Sequence, residues 1–241
     1  MKKDSNFIYF TESEIGVMYK DKVKKSPDYF DLRSNITEEN SIFLDEKFSH
    51  PMYKWDTRDY PRAVSLLDFN DWINKYSIKP KNLAYTYKDD PELKIITADN
   101  YFDLEYDPIK GSGDLHELDD LEVYDFFLFN QTLEHLYNPF VCVKNIHRSL
   151  ISGGYVFTSV PTINIPHSTP IHFNGFNPMG LFMLFKTCGF DVLEIGQWGN
   201  LEYIKNIFSN HSWPGYRALY PGGIKNEEEN VVSCWILAKK I

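Results

Sequence analysis

Between Gly16 and Gly111 the chain contains no glycine. No turn in that stretch has a residue that adopts left-handed backbone freely, and a glycine-rich phosphate-cradling loop is excluded from it. Cysteine is scarce: Cys142, Cys188 and Cys234 are the full set. Their scattered spacing matches neither a zinc site nor a disulfide framework, so they read as small buried hydrophobes in a reducing, cytoplasmic setting. Basic charge is outweighed, with 25 Lys and Arg against 34 Asp and Glu, a net charge of −9. Broad nucleic-acid binding through phosphates is disfavoured by that balance. Lys2 and Lys3 are not followed by an apolar stretch, so no signal peptide is read. No apolar run is long enough to cross a bilayer, and no membrane partner is expected. Internal repeats and low-complexity tracts are also missing.

Aromatic residues, at 16%, are plentiful. At 241 residues the chain is long enough for one domain with a full core. Residues 1–76 read as an N-terminal extension and capping segment, and residues 77–241 as the main domain. The extension is broken at Ser26-Pro27 and His50-Pro51, and it carries a small basic cluster over residues 19–25 that reads as a solvated face. Residues 52–61 mix aromatics with Arg58 and two aspartates; they either cap the ligand cleft or, as the favoured reading, pack at the edge of the core. Residues 65–76 predict a helix ahead of the first core strand.

Residues 124–200 hold the clearest pattern. Tyr124 to Phe129 is an almost continuous apolar run, which suits a strand buried on both faces. Asn138-Pro139 predicts a helix start, with Phe140, Val143, Ile146, His147 and Leu150 on its buried stripe. Gly153-Gly154 is read as the stop and Tyr155 to Val160 as the next strand. Asn177-Pro178 repeats the cap-then-proline device, Leu181, Leu184, Phe185 and Cys188 form a second stripe, and Gly189 ends it before a strand over Phe190 to Ile195. A short helix over residues 203–208 and a closing strand over residues 231–238 follow. Strands alternating with helices imply a mostly parallel sheet, which binds ligands beyond the carboxyl ends of its strands. Those ends are Asn130-Gln131, the loop after Val160, and the segment after Ile195.

The ordered runs from Asp125 (D-x7-L-E-H-L-x-N-P) and from Leu150 (L-x-x-G-G-x4-S-V-P), with the late Gly189-Phe190, resemble the second half of class I S-adenosylmethionine-dependent methyltransferases, closest to the type 11 group. The resemblance covers roughly residues 110–200. It implies a Rossmann-like α/β fold, a mostly parallel sheet with helices on both faces and an antiparallel last strand. It also implies S-adenosylmethionine as cofactor. By the resemblance Asp103 or Glu105 would meet the ribose hydroxyls, a diol suited to the two oxygens of a carboxylate. Asp114 would meet the adenine amino group with Leu115 along the ring, and Asn130-Gln131 would complete the pocket. The glycine-rich turn expected after the first strand, Asn82 to Tyr87, is replaced by the acidic bend of residues 88–93, which leaves room for at most one helical turn.

Histidine is the side chain suited to proton transfer near neutral pH, so His167 and His172, in the proline-punctuated loop after the Val160 strand, are candidate bases at the acceptor end. Gln131-x-x-Glu134-His135 is similar to the E-x-x-E-H of small-RNA 3′-end 2′-O-methyltransferases, which bind a divalent ion. The amide at Gln131 is a weaker ligand than their carboxylate, and no metal is expected; Glu134 and His135 read as helix start and pocket wall. The expected function is methyl transfer to a small-molecule or sugar-like acceptor. The alternative is a catalytically inactive protein of the same fold that serves as a binding or assembly module.

Overall fold

The computed structural model describes residues 6–25, 36–48, 59–107, 109–167, 171–215, 219 and 225–241. The breaks at Ser26-Pro27 and His50-Pro51 and residues 52–58 lie outside the described residues. Among the described residues six strands form one sheet: β1 (Asn82–Tyr85), β2 (Asn100–Asp103), β3 (Tyr124–Leu128), β4 (Leu150–Pro161), β5 (Phe190–Gly199) and β6 (Val231–Lys240). Their order across the sheet is β2-β1-β3-β4-β6-β5. β2, β1, β3 and β4 run parallel, and β6 is inserted antiparallel between β4 and β5. This is the Rossmann-like arrangement with a reversed last strand.

Helices cover both faces: α1 (Glu12–Lys25), α2 (Glu38–Phe48), α3 (Tyr60–Lys75), α4 (Pro139–Ser149), α5 (Pro178–Cys188) and α6 (Leu201–Asn210). Successive strand residues point to opposite faces. Phe127 and Phe129 accordingly pack with Val143, Ile146, Leu181 and Phe185 of α4 and α5. Phe126 and Leu128 pack with Leu66 and Phe69 of α3, together with Phe157, Trp198 and Trp235. The three cysteines are free and buried. Among the described residues no helix is long and apolar enough to cross a membrane.

The two cap-then-proline signals hold. The Asn138 side chain accepts from Val141 N, and Asn177 Oδ1 accepts from Gly180 N at 2.7 Å. Gly189 ends α5 at φ 102°.

Other expectations are corrected. Gly153-Gly154 does not separate helix from strand, because α4 stops at Ser149 and β4 runs from Leu150 straight through both glycines. The pair sits where the β3–β4 register shifts, Gly153 has φ +81°, and a Cβ at Gly154 would lie 3.2 Å from Asp125 O. A bulge uses glycine for these reasons. Phe140 leaves the buried stripe: it is 44% exposed, edge-on to Phe7. The acidic bend after the first strand holds a single 3-10 turn, Pro91–Lys94. The segment Gly113–His116, which carries the adenine contacts expected of Asp114 and Leu115, lies in no strand: Glu117 N donates to Asp114 O at 3.0 Å and closes a turn. β5 continues to Gly199 instead of stopping at Ile195, and the following Asn200 caps α6 instead of facing a ligand.

Candidate functional site

One cavity of about 1110 Å³ opens at the carboxyl ends of β1, β3 and β4. That is slightly above the range for sites that enclose small organic ligands, about 300–1,000 Å³. Glu105, Asp114, Leu115, Asn130 and Gln131 all line it. Asp103, His167 and His172 are not in its wall. The segment after β5 does not reach it; Val232 and Ser233 of β6 and Trp213 close that side instead. Trp213 Nε1 donates to Asn164 Oδ1 at 3.1 Å, which ties the 213–215 segment to the loop after β4.

The acidic bend after β1 forms a wall and leaves the hollow open. Its Asp90 and Glu92 are buried and face Arg62, in the first turn of α3. Arg62 donates to Asp90 Oδ1 at 2.9 Å, to Glu92 Oε2 at 2.7 Å and to Ser159 Oγ. Burial works against the charge on Arg62, but the carboxylates of Glu92 and Asp90, with Asp59 and Glu134 further off, hold its pKa above the ordinary value. Asn130 joins the same network. Its Oδ1 accepts from Ser159 N at 2.8 Å and its Nδ2 reaches Asp90 Oδ2 at 3.4 Å. Gln131, at φ +48°, donates from Nε2 to Ser159 Oγ at 3.2 Å. The turn that glycines would shape is held by ion pairs, a strong arrangement where buried carboxylates meet a planar guanidinium.

On the opposite side the chain leaves β2 and approaches itself closely. A Cβ on Gly113, which has φ +79°, would lie 2.5 Å from Glu105 O. Only glycine permits this contact, and it sets Glu105 beside Asp114 in the wall. Asp103 stays outside and accepts from Glu105 N at 2.9 Å. Asp114 Oδ1 accepts from His116 N at 2.9 Å and from His116 Nδ1 at 2.7 Å. His116 Nε2 in turn accepts from Asn138 N at 3.3 Å, so the proton of the ring is on Nδ1. Tyr137 stacks on that ring at 4.1 Å with 12° between planes, giving the cavity a broad aromatic patch.

At the far end the loop after β4 folds back over the 3-10 turn Leu133–His135. His135 lines the cavity, and His167 and His172 stand behind it. His135 Nε2 is 3.3 Å from His167 Nε2, and His167 Nδ1 is 3.2 Å from His172 Nδ1. Burial lowers the pKa of His135 against the pull of its hydrogen bond to the Ile171 carbonyl. Glu134 lies under the cluster. Burial raises its carboxyl to about 7, opposed by Arg62.

The sequence reading missed Arg62 and the pairing of His116 with Tyr137. Arg62 had one usable signal: a lone arginine in the apolar run of α3 needs carboxylate partners, and the bend supplies two.

No family model matches the chain, and no curated protein matches it. Solved structures do resemble it. A possible exported protein from Bordetella parapertussis is 11% identical, with 83% of this chain and 79% of that one covered and a TM-score of 0.48. A SAM-dependent methyltransferase from Archaeoglobus fulgidus is 16% identical, covering 83% and 99%, with a TM-score of 0.46. The [4+2]-cyclase SpnF is 13% identical, covering 98% and 99%, with a TM-score of 0.47. Likenesses this distant assign no chemistry, and the Rossmann-like fold rests on the chain's own strand order.

Proposed function

We propose that this protein is an S-adenosylmethionine-dependent methyltransferase acting on a small-molecule acceptor. One observation carries the reading. A single cavity at the carboxyl ends of the parallel strands collects Glu105, Asp114-Leu115 and Asn130-Gln131, although the usual glycine-rich turn is replaced by an ion-paired wall. Charge supports the same ligand. Among the described residues the lining carries the carboxylates of Asp59, Asp90, Glu105 and Asp114 against one arginine or lysine, Arg62, which is paired with Asp90 and with Glu92. Such a surface favours a ligand bearing positive charge and disfavours a polyphosphate.

The residues fit the cofactor as follows. Glu105 offers a carboxylate to the ribose diol, in preference to Asp103, whose Oδ1 is committed to the backbone. Asp114 and Leu115, held by His116 and Gly113, offer the adenine a polar edge and a flat backbone. The bound cofactor supplies a methyl carbon activated by its sulfonium. The chain supplies position and exclusion of water. Tyr137, Ile171 and Phe173 make the acceptor end apolar, and His135, backed by His167 and His172, is its polar group. A non-catalytic binding module is the second reading. It is favoured by the commitment of the Asn130 side chain to Asp90 and Ser159, which leaves that amide little capacity for a ligand.

Calorimetry separates the two. One-to-one binding of S-adenosylmethionine and S-adenosylhomocysteine, weakened tenfold or more by Asp114→Ala, is expected. No heat at millimolar ligand would end the enzyme reading.

A further inference from the structure

We propose that Glu134, His135 and His167 form a binding site for a transition-metal dication at the acceptor end of the cavity, with His172 orienting His167. The hydrogen bonds fix where the ring protons sit. A carbonyl oxygen only accepts, so His135 Nδ1, 2.9 Å from Ile171 O, carries a proton and leaves Nε2 bare. His172 Nε2, 3.0 Å from Asn174 O, carries one and leaves its Nδ1 bare. His167 Nδ1 faces both Ile165 O at 3.2 Å and that bare His172 Nδ1, so it is the donor there and His167 Nε2 is bare. Two bare nitrogens, His135 Nε2 and His167 Nε2, then face each other at 3.3 Å. Lone pairs so placed repel unless a cation lies between them. Two imidazoles about 2.0–2.1 Å from one ion at a tetrahedral angle would stand about 3.3 Å apart.

A second, independent observation points to the same ligand. Glu134 is 1% exposed, its Oε2 has no hydrogen-bond partner, and its Oε1 lies 3.8 Å from His135 Nε2. One ligand atom each from Glu134, His135 and His167 falls within 4.8 Å of the others. A buried carboxylate oxygen without a partner is costly, and a cation removes the cost. The backbone carbonyls behind His135 and His167 are the outer partners that metal-bound imidazoles use to fix their tautomers. Gln131 takes no part, since its amide is turned to Ser159. Two nitrogens and one carboxylate suit zinc, cobalt, iron or manganese better than magnesium or calcium, which prefer all-oxygen shells. Because His135 is in the cavity wall, a fourth position on the ion faces the acceptor, and an acceptor oxygen is the class of group it would take.

Titration of the chelator-treated full chain with cobalt(II), without S-adenosylmethionine, tests the site apart from the proposed activity. The expected result is one equivalent bound, visible ligand-field absorption, displacement by zinc and a raised melting temperature. His167→Ala, at an exposed loop position, should weaken binding at least tenfold, as should Glu134→Gln, and His172→Ala about tenfold. No absorption and no thermal shift at millimolar cobalt or zinc would overturn the proposal and leave a proton as the bridging cation. Binding unchanged in His167→Ala would overturn it equally.

Discussion

Arg62 holds a full charge in the first turn of α3 because two buried carboxylates meet it there. Removing the guanidinium would leave Asp90 and Glu92 buried without their main counter-charge. Arg62→Met is therefore expected to cost about 3–5 kcal/mol, measured by urea unfolding. Glu105 and Asp103 make a cleaner comparison, because only Glu105 faces the cavity. Glu105→Ala is expected to weaken S-adenosylhomocysteine about tenfold or more, the worth of a charged hydrogen bond of about 1.5–3 kcal/mol, and Asp103→Ala less than threefold. Calorimetry reads both. His147 on α4 gives a pH signature. Burial, with help from Lys144 and Lys240, lowers its pKa from 6.5 to about 4. The folded state thus resists a proton that the unfolded chain accepts. Its contribution is intact above pH 6.5 and is lost as pH falls towards 4. His147→Phe is expected to flatten the fall in the urea midpoint across that window, and an unchanged slope would assign the fall to other groups.

The elements differ in how openly they are written. α4 and α5 begin at Asn-Pro pairs whose asparagine side chains make the caps, so sequence and structure agree at both starts. These are local signals, complete within four residues. Gly153-Gly154 misled because glycine ends helices and bulges strands alike, and only the register of β3 against β4 tells which. Gly189 is the helix-ending kind: φ is 102°, and a Cβ there would meet His147 Nε2 at 3.2 Å. Gly189→Ala is expected to lower stability by about 1–2 kcal/mol in thermal unfolding, from left-handed backbone strain alone. The acidic bend of residues 88–93 was legible as a departure from a glycine turn. Its partner was not, because Arg62 is distant in sequence and nothing local joins the two.

At the scale of the molecule the mostly parallel sheet was legible from the alternation of apolar strands and capped helices, and its reversed last strand only from the family resemblance. The site was legible by half. Strand ends collect polar residues in any parallel sheet, so Asn130 and Gln131 were visible. The convergence of His135 with His167 and His172 depends on how the loop after β4 folds back, which no spacing records. α3 belongs to the same accounting. It lies before residue 77, yet it buries Leu66 and Phe69 against Phe126 and Phe157 and delivers Arg62 to the cavity. A chain beginning at residue 77 is therefore expected to lose cooperative unfolding, as followed by circular dichroism.

Cofactor binding by this protein requires the ion-paired bend to be a wall that a nucleoside can rest against. Crystals grown with S-adenosylhomocysteine test this most directly. Density for the nucleoside is expected between the Gly113–His116 segment and Asn130, with Arg62 still paired to Asp90 and Glu92. A cavity free of ligand at millimolar concentration, or a ligand admitted only when those ion pairs break, would contradict it.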